Sequence, residues 1–471
     1  MSDYNFLMEI KLSQPQFQVL NYISRAAFGV GVTLYLVGGA VRDLTSGHNH
    51  VRNLDFAVEG NLQKVLRALE SDGGRKSAAA AAEPARREPA VRLEQIHFDP
   101  RRQSASASFA QGVQVDIAGA RREIRSQPGR AAEVIPAGIF EDLRRRDFSA
   151  NAMAVSLHPN SRGLLLDPTN GAADIEHREF RSLDSRGFLT DPSRIYRLLR
   201  LSDRLGFHAE QRTRDWLNAA IEGGAWKSMS PEDQGRELRA VLQEEHPARI
   251  LRLFERHGLL SGLDASLTAG KVPFDRLEKI RSAVRAAPGA DPFLVVFNGL
   301  AEKFPPSQRK RLAKKIMPEG KELRTALSLE ADARKLATAL ASSKMNAPSA
   351  VYKFLDGKPH SLLLYLLTHY PQAKIQTRIK NFLFKYPQIR LKLPRAEMLS
   401  LGVDAGPQAE EALHQIFLLM LDGKLKTPVQ ITKALHDLAD RQSEPSRKTT
   451  PPPAGAFKSN RRNSSQRAAG R

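Results

Sequence analysis

Leu36-Val37-Gly38-Gly39-Ala40-Val41-Arg42-Asp43 joins a short β-rich run, residues 33 to 37, to a helix that begins near Val41. Two successive glycines let the backbone come close to a ligand, and a helix start offers unpaired N–H groups to an anion. Arg42 adds a charged donor. A triphosphate is one natural occupant of such a turn; plain packing of strand on helix is the other reading.

Working outward, residues 53 to 58 (NLDFAV) alternate, with Leu54, Phe56 and Val58 on one face and Asn53, Asp55 and Ala57 on the other. Positions 53 and 55 then lie roughly 7 Å apart on one side of a strand. Oxygen side chains so placed can converge on a pair of Mg²⁺ ions about 3.5–4 Å apart, the arrangement used for in-line phosphoryl transfer. Asn53 supplies an uncharged amide oxygen where a second carboxylate would serve better. Asp116, within Val115-Asp116-Ile117-Ala118, ends another strand-like run and adds an oxygen ligand; taken alone, Asp55 and Asp116 also read as ordinary strand-end acids.

Further strand-like runs fall near 92 to 98, 104 to 109, 112 to 118 and 163 to 167, with helices at 62 to 70 and 140 to 155. Residues 72 to 90, rich in Gly, Ala, Pro and Arg without an apolar period, read as a disordered insert in a surface loop. The arginine-rich stretch 141 to 152 (EDLRRRDFSANA) offers a phosphate clamp or a solvated charged face. This gives an α+β domain, residues 30 to 160, after a helical extension at 1 to 29.

Beyond it the pattern is helical. Asp191-Pro192 opens a helix whose Arg194, Arg197, Arg200 and Arg204 fall within an arc of roughly 120°, opposite Ile195, Leu198, Leu199 and Leu205. The apolar face must pack, and the arginine stripe is where a nucleotide or an RNA backbone could lie. Asp191 accepts and Arg194 donates, so together they can read the edge of a base. Helical periods recur at 213 to 222, 236 to 244, 247 to 260, 274 to 285, 321 to 341, 361 to 369 and 408 to 421. The reading is a neck at 161 to 225, a body and tail at 226 to 440, and a basic disordered tail at 441 to 471, where eight Lys/Arg meet one acid.

Composition narrows the function class. The chain has 471 residues, a formal net charge of +21 and no cysteine. Thiolate chemistry, disulfides and cysteine-ligated metals are excluded, and a reducing, cytoplasmic setting is expected. The longest apolar runs, Leu362 to Leu367 and Ile416 to Leu421, fall far short of the roughly 20 residues of a membrane span. The start, MSDYNFLMEIKL, lacks the basic region and apolar stretch of a secretory signal. A charge this positive points to a polyanion, with nucleic acid ahead of an anionic membrane surface.

The motifs LVGGAVRD, NLDF, VDIAGARRE, EDLRRRDFSANAMA, LLDPTNGAADI and FLTDPSRIYRLLRLSDRLGF occur in that order from about 33 to 208, with a looser continuation to Leu260. This series resembles the class II tRNA nucleotidyltransferase and bacterial poly(A) polymerase family. The resemblance implies a polymerase-β-like nucleotidyltransferase head with a small mixed sheet, followed by all-α neck, body and tail. It implies template-independent addition of CMP and AMP, or AMP alone, from CTP and ATP to an RNA 3′ end, tRNA first among acceptors, with Mg²⁺ as cofactor. Gly38, Gly39 and Arg42 would hold the triphosphate, and Asp55, with Asn53, the metal. Asp116, taken from its strand-end position and not from the resemblance, is placed beside Asp55 as the second catalytic acid. Arg146 and Asp147 would hold sugar and phosphates. Asp191 and Arg194 would read the base, supported by Arg197 and Arg200, and the basic body and tail would hold RNA. The family pattern has Asp at position 53 and often Glu at position 190, where this chain has Asn53 and Thr190. A relative that binds RNA without transferring nucleotides is the alternative reading.

Overall fold

A computed structural model describes residues 3–47, 51–79, 91–110, 112–124, 133–285, 287, 291–317, 319–343, 345–394 and 407–443. Two N-terminal helices, α1 (Tyr4–Lys11) and α2 (Gln14–Gly29), precede β1 (Thr33–Val37), α3 (Gly39–Thr45), β2 (Leu54–Glu59) and α4 (Leu62–Ala79). Strands β3 (Leu93–Asp99), β4 (Ser104–Phe109), β5 (Gln114–Gly119), β6 (Arg121–Ile124) and β7 (Glu133–Pro136) follow. Next come α5 (Ile139–Arg144), β8 (Ala154–Ser156) and β9 (Leu165–Leu166). Seven strands form one mixed sheet in the order β3-β4-β5-β2-β1-β8-β9, with β6 and β7 as a separate hairpin. Among these seven only β2 and β5 pair in parallel; the other neighbours are antiparallel.

The alternation in β2 separates two faces. Leu54, Phe56 and Val58 are almost wholly buried. On the opposite face Ala57 clusters with Tyr35, Val37 and Ala154 of the sheet and with Ile139 and Leu143 of α5. Asp55 shares that face, so packing α5 on the sheet brings the arginines after α5 to the same side as the acid. Register completes the placement: Val37 lies opposite Asp55, and Asp55 opposite Asp116. The Gly38-Gly39 turn thus continues β1 beside both acids.

The helix expected over 140 to 155 is helical only to Arg144 in α5, with a 3₁₀ turn at Ser149–Asn151 and then a strand, β8, between β1 and β9. Phe148, Ser149, Ala150, Ala152, Met153, Ala154 and Val155 are all fully buried. A run with no solvent face carries no period that separates strand from helix. The boundary expected at 160 falls inside the sheet, because β9 pairs with β8 through Ala154 and Leu166. Helix α4 continues to Ala79, into the stretch expected as an unstructured insert. Arg75, Lys76, Ala78 and Ala79 are good helix formers and offset two glycines that disfavour a helix by about 1 kcal/mol each. Residues 80–90 and 444–471 of the expected insert and tail lie outside the described residues.

The remainder is mostly helical, beginning with α6 (Gly171–Glu176), α7 (Gly187–Thr190), α8 (Ser193–Leu205), α9 (Gln211–Glu222) and α10 (Pro231–Gln243), with one short two-stranded parallel sheet formed by Glu179–Phe180 and His208–Ala209. Two compact units result, one of residues 1–335 with 359–369, the other of 336–358 with 370 onward. Across the division expected at 225, α10 packs on α8 within the first unit. In the second unit Tyr352, Tyr386, Leu413, Ile416, Phe417 and Leu435 share a core. Among the described residues no helix is long and apolar enough to cross a membrane.

Candidate functional site

Gly38 takes φ +66°, a backbone conformation that side chains strain to adopt. A Cβ there would lie 2.9 Å from Arg146 Nη1 and 3.6 Å from Asp55 Oδ2. One on Gly39 would lie 3.5 Å from Arg42 Nη2 and 3.9 Å from Asp55 Oδ2. The two glycines therefore leave bare backbone between one carboxylate and two guanidiniums. Burial pushes the Asp55 carboxyl up to about 6, and the charge of Asp116 adds to this while Arg146 and Arg42 pull it back. Asp116 itself is exposed and accepts a 2.6 Å hydrogen bond from Ser106 Oγ. Asn53, also exposed, lines the same cleft. Two carboxylates and an amide oxygen are donors that suit a hard divalent cation.

Arg42 is buried. Its Nε and Nη2 donate to Asp43 Oδ1 (3.0 and 2.8 Å) and its Nη1 to Asn151 Oδ1 at 2.5 Å. Asn151 in turn donates to Asp147 Oδ1 at 3.0 Å, and Arg197 Nη1 donates to Asp147 Oδ2 at 2.9 Å. Burial would raise the Asp147 carboxyl, but Arg197 and Arg194, with these hydrogen bonds, hold it down to about 2. Arg42 and Asp147, expected to touch triphosphate and ribose, are thus also joined to each other through Asn151.

The stripe on α8 was expected to face a ligand, yet α10 covers much of it. Glu237 accepts from Arg197 (3.2 Å) and Arg200 (3.5 Å). Glu244 pairs with Arg200 (3.0 Å), Arg204 (3.6 Å) and Arg52 (2.6 Å). Both glutamates are 2% exposed. Burial would lower the Arg197 pKa, but Glu237 and Asp147 raise it above the ordinary arginine value. The signal was present in the sequence: Glu237 and Glu244 are seven residues apart, two helical turns, matching the period of the arginines they meet. Arg194 differs. Its Nη1 and Nη2 reach the carbonyls of Arg146 (3.5 Å) and Arg145 (3.1 Å), while Nε has no hydrogen-bond partner and lies 3.6 Å from Asp191 Oδ2.

All twelve residues singled out from the sequence line one cleft of about 940 Å³. Sequence reasoning missed Arg52, Arg236, Arg239 and Gln243, which line it too, and held Arg121, Arg145 and Asn151 only as members of longer motifs. Eleven arginines and seven acids surround the space, leaving it electropositive and suited to a polyphosphate.

Residues 34–181 match the family described as Poly A polymerase head domain. A CC-adding tRNA nucleotidyltransferase of Deinococcus radiodurans is 33% identical over 287 residues, covering 59% of this chain and 70% of that protein. An A-adding tRNA nucleotidyltransferase of Aquifex aeolicus is 30% identical over 251 residues, 53% of this chain. The chain spans 28% of that protein's own length, and about half that of two other A-adding relatives. A solved structure described as a tRNA-processing enzyme in apo form shares the fold, with a TM-score of 0.50 and 24% identity over 88% of this chain and 99% of that one.

Proposed function

From a chain that belongs to the tRNA nucleotidyltransferase family, we infer a template-independent transferase that adds CMP or AMP from CTP or ATP to an RNA 3′ end, with tRNA as the acceptor. The observation that carries this reading is Asp55, opposite Asp116, set against the bare Gly38-Gly39 backbone in an arginine-lined cleft. The chemistry is attack by the RNA 3′ hydroxyl oxygen on the α-phosphorus. A phosphodiester bond forms, the bond to the β-phosphate oxygen breaks and pyrophosphate leaves. An acceptor of this kind puts the work in the cytoplasm, in keeping with a chain free of cysteine.

Asp55, Asp116 and the Asn53 amide would hold Mg²⁺, which when bound screens the triphosphate charge and favours ionisation of the 3′ hydroxyl. The glycine backbone lets the phosphates approach Arg146. Arg42, tied to Asp43 and Asn151, adds positive potential from below. Arg194 Nε beside Asp191 Oδ2 places a donor next to an acceptor for a base edge. Arg197 and Arg200, neutralised by Glu237 and Glu244, support that pair and hold helix α8 in place. Basic residues of the helical region meet the RNA backbone through salt-sensitive phosphate contacts.

The test is incorporation of labelled CMP or AMP into tRNA lacking its 3′ terminus, in Mg²⁺. Wild type incorporates label, and Asn53→Asp increases the rate. Absence of incorporation in wild type overturns the reading. Asn53 favours one second reading, an RNA-binding member without transfer activity; silence in wild type with recovery in Asn53→Asp is its signature.

A further inference from the structure

One buried acid holds two of the cleft's arginines. Asp142, in α5, is 2% exposed. Its Oδ1 accepts from Arg145 Nη2 (2.6 Å) and Nε (3.1 Å) and from the Arg121 backbone N–H (3.3 Å). Its Oδ2 accepts from Arg146 Nη2 (2.9 Å) and Nε (3.2 Å). Asp142 does not line the cleft, whereas Arg145 and Arg146 do. With one edge of its guanidinium fixed on Asp142, Arg146 presents Nη1 to the Gly38 backbone. Arg194 grips the main chain of the same two arginines from α8.

We propose that Asp142 is a positioning residue for the nucleotide triphosphate: it aims Arg146 along the Gly38-Gly39 turn and sets Arg145 beside it. The proposal rests on the nucleotide-transfer reading above. Its physical basis is preorganisation. An arginine free on a helix surface loses rotamer freedom when it grips a phosphate, and one already held by a carboxylate has lost it beforehand. One carboxylate between two guanidiniums also leaves a net positive charge, so the pair still attracts an anion. Burial would raise the Asp142 pKa, but Arg146 and Arg145 bring it below the usual carboxylate value, so it is ionised wherever the protein works near neutral pH.

The test uses the full chain and two measurements: equilibrium binding of ATP and of inorganic tripolyphosphate, and KM against kcat for CTP and ATP. Asp142→Asn weakens both ligands and raises KM about tenfold or more, with kcat changed only a few-fold, since misaiming acts on the grip rather than on the acids. In an Arg146→Gln background the same substitution has a clearly smaller further effect, confined to Arg145, because the main group it aims is gone. Asp142→Glu keeps the charge but shifts it by a methylene, and binds with intermediate strength. Unchanged tripolyphosphate binding in Asp142→Asn, with only the unfolding temperature lowered, overturns the proposal and leaves the acid a folding contact. An undiminished effect in the Arg146→Gln background overturns it too. If Asp142→Asn does not fold, Asp142→Glu decides: weaker binding at full charge supports aiming, and wild-type binding refutes it. A wild type that binds neither ATP nor tripolyphosphate removes the nucleotide-transfer reading and this role together. Binding in wild type that the Asp142 variants share removes only this role.

Discussion

The two walls of the cleft carry charge in opposite ways. On the sheet, Asp55 faces Asp116 across a strand pair, and burial and mutual repulsion push its carboxyl up to about 6. On the helices, Arg197, Arg200 and Arg204 are neutralised by Glu237 and Glu244, and Asp147 is held down to about 2. At Asp55 one carboxylate stays under-compensated inside an otherwise electropositive cleft; on the helices the charges are already paired. Strain of this kind is kept where a ligand relieves it, and balance where a shape must persist.

Breaking the sheet wall has the largest expected effect. Asp55→Ala should lower nucleotide incorporation by about 10³-fold or more, the scale of several kcal/mol of lost charge stabilisation, while thermal unfolding stays within a few degrees of wild type. A large fall in unfolding temperature would instead make Asp55 a folding residue. Breaking the helical wall should reverse this pattern. Glu237→Ala leaves Arg197 and Arg200 facing an emptied buried site and should destabilise the protein by about 3–5 kcal/mol, read as a shift in urea midpoint. Proton linkage sharpens the contrast. Asp147 has a folded pKa of about 2, below its unfolded value of about 3.9, so its stabilisation is complete above about pH 5 and is lost as pH falls through about 2. That is roughly 2–3 kcal/mol at neutral pH, and an Asp147→Asn protein should lack this part of the acid limb when stability is followed between pH 5 and 2. The smallest effect belongs to Gly38→Ala, where positive φ and crowding against Arg146 should remove about 1–2 kcal/mol and weaken nucleotide binding.

The sheet wall was legible because its cues are local. Gly38-Gly39 marks a turn, and the alternation of residues 53 to 58 puts Asn53 and Asp55 on the side away from Leu54 and Phe56, as the buried face of β2 shows. The partner strand of Asp55 was not legible, since pairing β2 with β5 depends on a register that no period encodes. The helical wall was half legible. The arginine period on α8 was plain, but its meaning changed once Glu237 and Glu244 came to rest against it. Asp142 escaped notice because an acid among arginines on a short helix looks like a solvated face until α5 is seated on the sheet. Residues 147 to 155 were misread as helix because burial on every side erases the contrast that periodicity needs.

The position of β8 bears on how the protein is made. This strand fills the place beside β1 although the two lie roughly 120 residues apart in sequence, and Met153, just before it, supplies the carbonyl that holds the Gly38 N–H. A ribosome extending the chain at about 5–20 residues per second would therefore expose β1 and β2 for many seconds with one flank of the sheet open. Nascent chains stopped before residue 154 should be targets for chaperones, and resistance to proteases should rise only once β8, β9 and the helices packed behind them have emerged.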